Sequence, residues 1–249
     1  MQKLMGRMRA AMERYHMIEA GDRVAVGVSG GKDSLVLLCA LAELRNYYPQ
    51  SFSLAALTVD PQFGGQPADY TQIEELCRRL KVPYIVRRTE LGRVIFEDRK
   101  EKNPCSLCAR MRRGMLHNMA KEAGCSRIAL GHHYDDAVNT FFMNLFECGT
   151  LGCFSPKSYL SRKGLWLIRP MVFCEEKEIA SVARRYRLPV EKSRCPADGD
   201  TARRQTHELV QTLEKGYPDL RAKVIGALQR AGIDRWGIPA DGKGNEAKP

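Results

Sequence analysis

Three short stretches of the sequence carry residue types at spacings suited to chemistry. Ser29-Gly30-Gly31-Lys32-Asp33-Ser34 lies between a β-branched run and an apolar run of helical character. Two glycines let a backbone turn tightly and approach an anion. Free N–H groups at a following helix start would point at that anion, and the helix dipole would favour it. Lys32 adds a point charge, and Ser29 and Ser34 add hydroxyls. The spacing is neither G-x-x-x-x-G-K-[ST] nor G-x-G-x-x-G. The second stretch is Gly131-His132-His133-Tyr134-Asp135-Asp136. Paired carboxylates after a strand suit Mg²⁺ on a polyphosphate, although either could instead cap a helix. The third is Cys105-Ser106-Leu107-Cys108, a C-x-x-C that fits half a zinc site, a redox pair or two cluster ligands. A thioredoxin-type role is disfavoured, because Asn103-Pro104 precedes it and a basic helix follows.

The elements that must position these groups alternate. Strands are expected at Arg23 to Val28, Phe52 to Val59, Val82 to Val86, Arg127 to Leu130 and Leu165 to Arg169. Helices are expected at Lys32 to Leu44, Tyr70 to Leu80, Cys105 to Ala123, Asp135 to Phe146 and Glu175 to Tyr186. Such alternation predicts an α/β fold with a doubly wound parallel sheet covered on both faces. An N-terminal helix from Gln2 to Ile18 precedes it. Its Met1, Met5, Met8 and Met12 share a face, suited to packing on the body or, failing that, to a homodimer contact. Two helices, Thr201 to Lys215 and Leu220 to Ala231, form a C-terminal helical extension. The expected division is 1–22 for the first helix and turn, and 23–188 for the nucleotide-binding α/β domain. Residues 189–235 form a cysteine loop with the last helices, and 236–249 a flexible tail.

The chain has 249 residues, with 40 Lys+Arg against 29 Asp+Glu, a formal charge of +11. With 44% hydrophobic residues it is a globular composition, which excludes a wholly disordered chain. The surplus of positive charge favours a polyanionic partner, nucleic acid ahead of membrane, although solubility alone would also use it. The longest apolar run, Leu35 to Ala42, is too short to cross a bilayer. No secretory signal is expected, so the setting is cytoplasmic and reducing. The nine cysteines then point to metal or catalytic use, not to a disulfide framework. Cys39 and Cys77 lie on apolar helix faces and read as core.

Several motifs, taken together, resemble known families. SGGKDS resembles the PP-loop of the N-type ATP pyrophosphatases. Gly131 to Asp136, with Thr140, Asn144 and Leu145 downstream, resembles the G-H-x-x-D-D motif of their tRNA-modifying branch. Cys105 to Gly114 (C-S-L-C-x-R-x-R-R-G), Ile168-Arg169-Pro170-Met171 and Cys174 to Ile179 resemble the tRNA 2-thiocytidine synthetases. The resemblance runs from Val24 to Gln205. It implies cleavage of ATP between its α and β phosphates, transfer of AMP to a base carbonyl, and replacement of that oxygen by sulfur on a tRNA. Carried over, Val28, Ser29, Gly30, Gly31, Lys32, Asp33 and Ser34 hold ATP, with Asp60 near the nucleoside and Gly131 beside the phosphates. Lys32 and Arg112 contact phosphates, and Asp33 or Asp136 positions Mg²⁺. Cys105, Cys108 and Cys195 hold a [4Fe-4S] cluster. The sulfur donor would be a cysteine desulfurase persulfide or sulfide, and Cys174 is a candidate sulfur carrier. One detail departs from the thiocytidine pattern: the lone Cys195-Pro196 is more similar to the 2-thiouridine branch, whose terminal zinc-binding cysteine pairs this chain lacks. Thiouridine synthesis and small-molecule sulfur transfer are therefore the alternatives.

Overall fold

The computed structural model describes residues 1–99, 104–191, 194–196 and 202–237. Helix α1 (Gln2–Arg14) buries Leu4, Met5, Met8, Ala11 and Met12. It ends four residues before the expected Ile18. His16 takes the left-handed conformation at φ 46°, which a continuing helix of L-residues does not accommodate. The methionine face is spent on the chain's own core, so it offers no dimer contact.

Strand β1 (Asp22–Gly27) leads into α2 (Lys32–Leu44), which is buried almost all round, as its unbroken apolar sequence requires. Strand β2 (Phe52–Asp60) is followed by α3 (Thr71–Arg79), with Ile73, Leu76 and Cys77 turned inward. Strand β3 (Tyr84–Arg88) starts two residues later than Val82, the start its sequence suggests. One helical turn, α4 (Leu91–Arg93), widens into a π turn at Val94–Asp98, the stretch with no clear periodicity. Then come α5 (Pro104–Glu122), β4 (Arg127–Ala129), α6 (Tyr134–Cys148), β5 (Lys157–Leu160), β6 (Leu165–Ile168) and α7 (Glu176–Arg185). Helices α8 (Ala202–Gly216) and α9 (Leu220–Ala231) close the described chain. The expected tail beyond residue 237 and residues 192–193 and 197–201 of the cysteine loop lie outside the described residues.

Among the described residues the strands form one six-stranded sheet in the order β3-β2-β1-β4-β6-β5. Strands β3, β2, β1, β4 and β6 are parallel. The sheet is not wholly parallel, because β5 runs antiparallel on the edge, Lys157 opposite Ile168 and Leu160 opposite Leu165. Side chains alternate between two layers. Val24, Val26, Leu54, Ala56 and Ile168 face the layer of α1, α2, α3, α6 and α7, joined by Val210, Val224 and Leu228 of the last helices. Ala25, Ala55, Leu57, Ile128 and Leu167 face the layer of α4 and α5. Trp236 is fully buried; its indole N–H donates to the Phe154 carbonyl (2.8 Å) and its own carbonyl accepts from Tyr15 (3.2 Å).

The chain winds from β1 outward through β2 and β3, then returns to the other side of β1 with β4. The reversal makes a crevice beyond the C-terminal ends of β1 and β4, the place where open α/β sheets bind ligands. The glycine loop leaves β1 there, and the histidine–aspartate stretch leaves β4.

Candidate active site

Gly30 holds φ at 85°, a conformation that favours glycine and lets the loop turn back over β1. The hydroxyls expected to face an anion are used inside the loop. Ser34 Oγ accepts from the Ser29 N–H (3.1 Å) and donates to the Gly31 carbonyl (2.9 Å), while Ser29 Oγ accepts from the Gly31 N–H (3.3 Å). They shape the cradle. No side chain caps α2, so its leading amides and dipole are available to a phosphate. Val28 is buried beneath the loop, its N–H given to the Leu57 carbonyl (2.8 Å).

Gly131 packs directly against this turn. A Cβ there would lie 3.1 Å from the Asp33 carbonyl carbon and 3.2 Å from the Ser34 nitrogen, so only glycine lets the two motifs meet. Next to it, His133 sits among three carboxylates: Asp136 at 3.5 Å, Asp135 at 3.6 Å and Asp33 at 4.0 Å. Burial pulls its pKa down, but Asp135, Asp136 and Asp33 outweigh that and hold it above the usual histidine value.

The two aspartates divide their work. Asp135 accepts from Arg221 of α9 (2.7 Å) and from the Glu176 N–H that opens α7 (2.7 Å). Burial works against its charge, yet His133, that N–H and Arg221 hold it below the usual carboxylate range. Asp136 accepts the His133 N–H (3.1 Å) as a helix cap and pairs with Arg203 of α8 (3.2 Å). It therefore combines the capping role with a position facing Asp33 across His133. Lys32 pairs with Asp33 (3.1 Å) and Glu176 (3.0 Å); these partners overcome its burial and raise its pKa. Glu176 and His133 are residues that the motifs contained without revealing their task, because their partners lie far away in sequence.

On the β2 side lies a cleft of about 270 Å³ lined by Ser29, Gly31, Asp60, Tyr70, Arg112 and Arg194. Asp60 is 2% exposed, and its carboxylate accepts the N–H groups of Gln62 (3.0 Å) and Ala68 (3.0 Å). It fixes the loop that walls the cleft and so acts on any nucleoside through that wall. Arg112 stands one helical turn beyond Cys108 on α5. The segment carrying Cys195 crosses the glycine loop, where the Glu191 N–H donates to the Gly30 carbonyl (3.0 Å). Arg194 is then tied to the Pro67 carbonyl (2.9 Å).

This crossing brings the three candidate ligands to one rim. Cys105 is exposed, Cys108 buried and Cys195 between the two. Burial raises the Cys108 pKa, Arg112 opposes it, and the charges of Cys195 and Cys105 both reach it. As they stand, no three His, Cys, Asp or Glu among the described residues form a closed metal cage. The donor set itself, three soft thiols beside one another and beside a phosphate cleft, suits an iron–sulfur cluster. All nine cysteines are free. Cys39 and Cys77 are core, as expected. Cys174 is corrected: it is 0% exposed, burial pushes its thiol up to about 12, and it donates to the Leu4 carbonyl (3.7 Å), so it carries no sulfur. No helix among the described residues is long and apolar enough to cross a membrane.

The PP-loop domain family matches residues 4–205. The chain is 41% identical to a tRNA-cytidine(32) 2-sulfurtransferase of Syntrophotalea carbinolica, over 88% of this chain and 85% of that one. It is 37% identical to a protein of the same description from Citrifermentans bemidjiense, over 91% and 89%. Its fold is similar to that of the U34-tRNA thiolase NcsA from Methanococcus maripaludis with its [4Fe-4S] cluster. That likeness has a TM-score of 0.73, 24% identity, and coverage of 91% of this chain and 77% of that one.

Proposed function

The chain belongs to the PP-loop family, among relatives described as tRNA-cytidine(32) 2-sulfurtransferases, and we propose that it uses ATP to replace the C2 oxygen of a tRNA cytidine with sulfur. The observation that carries this reading is the joining of two phosphate motifs and three cysteines at one crevice, with Gly131 in contact with the glycine loop and Glu191 bonded across it.

The uncapped start of α2 and Lys32 receive the triphosphate, and Arg112 meets it from the opposite wall. Phosphate charge replaces the carboxylates that hold Lys32 in the empty cleft. Asp33 and Asp136 would hold Mg²⁺, which offsets charge on the leaving pyrophosphate; Asp135 is already committed to Arg221 and α7. The C2 carbonyl oxygen attacks the α-phosphorus, pyrophosphate leaves, and the adenylated oxygen becomes a good leaving group. A sulfur nucleophile then adds at C2 and AMP departs with the oxygen. Cys105, Cys108 and Cys195 would hold a [4Fe-4S] cluster, which supplies an iron with an open position for the sulfur to be transferred. The sulfur donor in this reading is a cysteine desulfurase persulfide or sulfide, and the setting is the cytoplasm.

The test is anaerobic protein with ATP, sulfide and an unmodified tRNA transcript, followed by nucleoside mass spectrometry. The expected product is 2-thiocytidine, formed with one AMP per sulfur. AMP release with 2-thiouridine would transfer the reading to the branch that Cys195-Pro196 resembles. Turnover of ATP with no thionucleoside would remove tRNA thiolation altogether.

A further inference from the structure

The Ile168-Arg169-Pro170-Met171 motif plays no part in the chemistry above, yet it contains a buried cation without a counter-charge. Arg169 follows the last residue of β6 and is 8% exposed. It donates to the Ser155 carbonyl and lies over the Phe154 ring (4.9 Å to the centroid), but its Nε has no partner. Among the described residues it forms no ion pair. The fold's other deeply buried arginine, Arg127 at 1% exposed, is matched by Asp22 and by Glu19 (2.8 Å). A buried charge normally requires such compensation.

What surrounds Arg169 is also cationic or orphaned. His132 packs on the other contact of Phe154, 5.1 Å between ring centroids, and its buried Nδ1 has no partner. Burial pushes the Arg169 guanidinium down to about 10; Cys153 offsets part of this, and Arg113 of α5 adds to it. Cys153 supplies no counter-charge, since burial pushes its own thiol up to about 12. The site opens at the same sheet edge as the glycine loop. It lies two strands from β1, on the side away from the nucleotide cleft, a separation of about 10 Å.

We propose that Arg169, with His132 beside it and Arg113 in range, is a seat for a backbone phosphate of the RNA substrate, distinct from the triphosphate cradle. This rests on the tRNA reading above. An RNA phosphate placed there supplies the missing negative charge, and it fixes the strand so that its base reaches the crevice between β1 and β4. Arg169 is then a positioning residue.

The experiment measures binding of an unmodified tRNA transcript over a salt series, and separately KM for ATP. The variants are Arg169→Gln, Arg169→Lys and the exposed Arg113→Gln, which keeps the test alive if the buried variant fails to fold. Arg169→Gln is expected to weaken transcript binding about tenfold and to lower the salt slope by about one, with KM for ATP unchanged. Arg169→Lys recovers the slope, and Arg113→Gln moves binding in the same direction by less. A rise in KM for ATP with unchanged transcript binding assigns the seat to the nucleotide and overturns the proposal. Unchanged transcript affinity and slope in Arg113→Gln and in a folded Arg169→Gln also overturn it, leaving Arg169 to packing. Wild-type protein that binds the transcript without thiolating it sinks the thiolation reading alone, because the seat is read by binding.

Discussion

Gly131 shows how a single missing side chain can set an active site. Its neighbours are backbone atoms of Asp33 and Ser34, which cannot swing aside as a flexible side chain would. Gly131→Ala should therefore push the glycine loop off its position, destabilise the protein by about 1–3 kcal/mol and raise KM for ATP. Thermal melts and ATP kinetics check this together; an unchanged KM would mean that the loop does not rely on this contact. The cysteines give a paired expectation. Cys195→Ala should lose cluster iron and thiolation while still binding ATP, whereas Cys174→Ala, at a buried and fully protonated thiol, should thiolate at the wild-type rate. Iron content and product yield of the two variants, prepared side by side, decide between them. At this scale the sequence was informative about which residues matter and poor at dividing their roles. Nothing local separates Asp135 from Asp136. Arg221, the partner that withdraws Asp135 from the site, lies 86 residues away.

The Asp135–Arg221 pair belongs to the next scale, since it ties α6 to α9 and, through the Glu176 N–H, to the start of α7. Asp135 has its pKa lowered in the fold from 3.8, so its contribution to stability is fully present above that value. It is lost as the pH falls through the lower, folded pKa. Arg221→Met should cost roughly 2 kcal/mol at neutral pH, between the ranges for exposed and buried pairs. It should also flatten the loss of stability on acidification below about pH 4. Denaturant unfolding at neutral and acid pH measures both; a variant as stable as wild type at neutral pH would show the pair to be idle. The core elements were legible because their apolar runs are unbroken: α2 and α9 fall where the pattern places them. Strand β5 was missed because Lys157–Leu160 is four residues long, half polar and on an edge, where pairing with β6 and not propensity makes it a strand. Helix α1 was read too long because Tyr15, Met17 and Ile18 continue its apolar content after His16 has turned the backbone.

Over the whole molecule, the order of the strands does what no single motif can. The reversal between β1 and β4 brings residues 29–34 and 131–136 together, and the return of the chain across Gly30 adds Cys195 to Cys105 and Cys108. A charge of +11 is spread over a molecule whose substrate in this account is a polyanion, so tRNA affinity should fall steeply between low and physiological salt while ATP affinity changes little. The most direct measurement of the central claim is nucleoside mass spectrometry of total tRNA from a strain lacking this chain, with and without the gene restored. The account predicts loss of 2-thiocytidine alone, restored by the wild-type chain and not by Cys195→Ala. Loss of a 2-thiouridine, or no change in any thionucleoside, would contradict it.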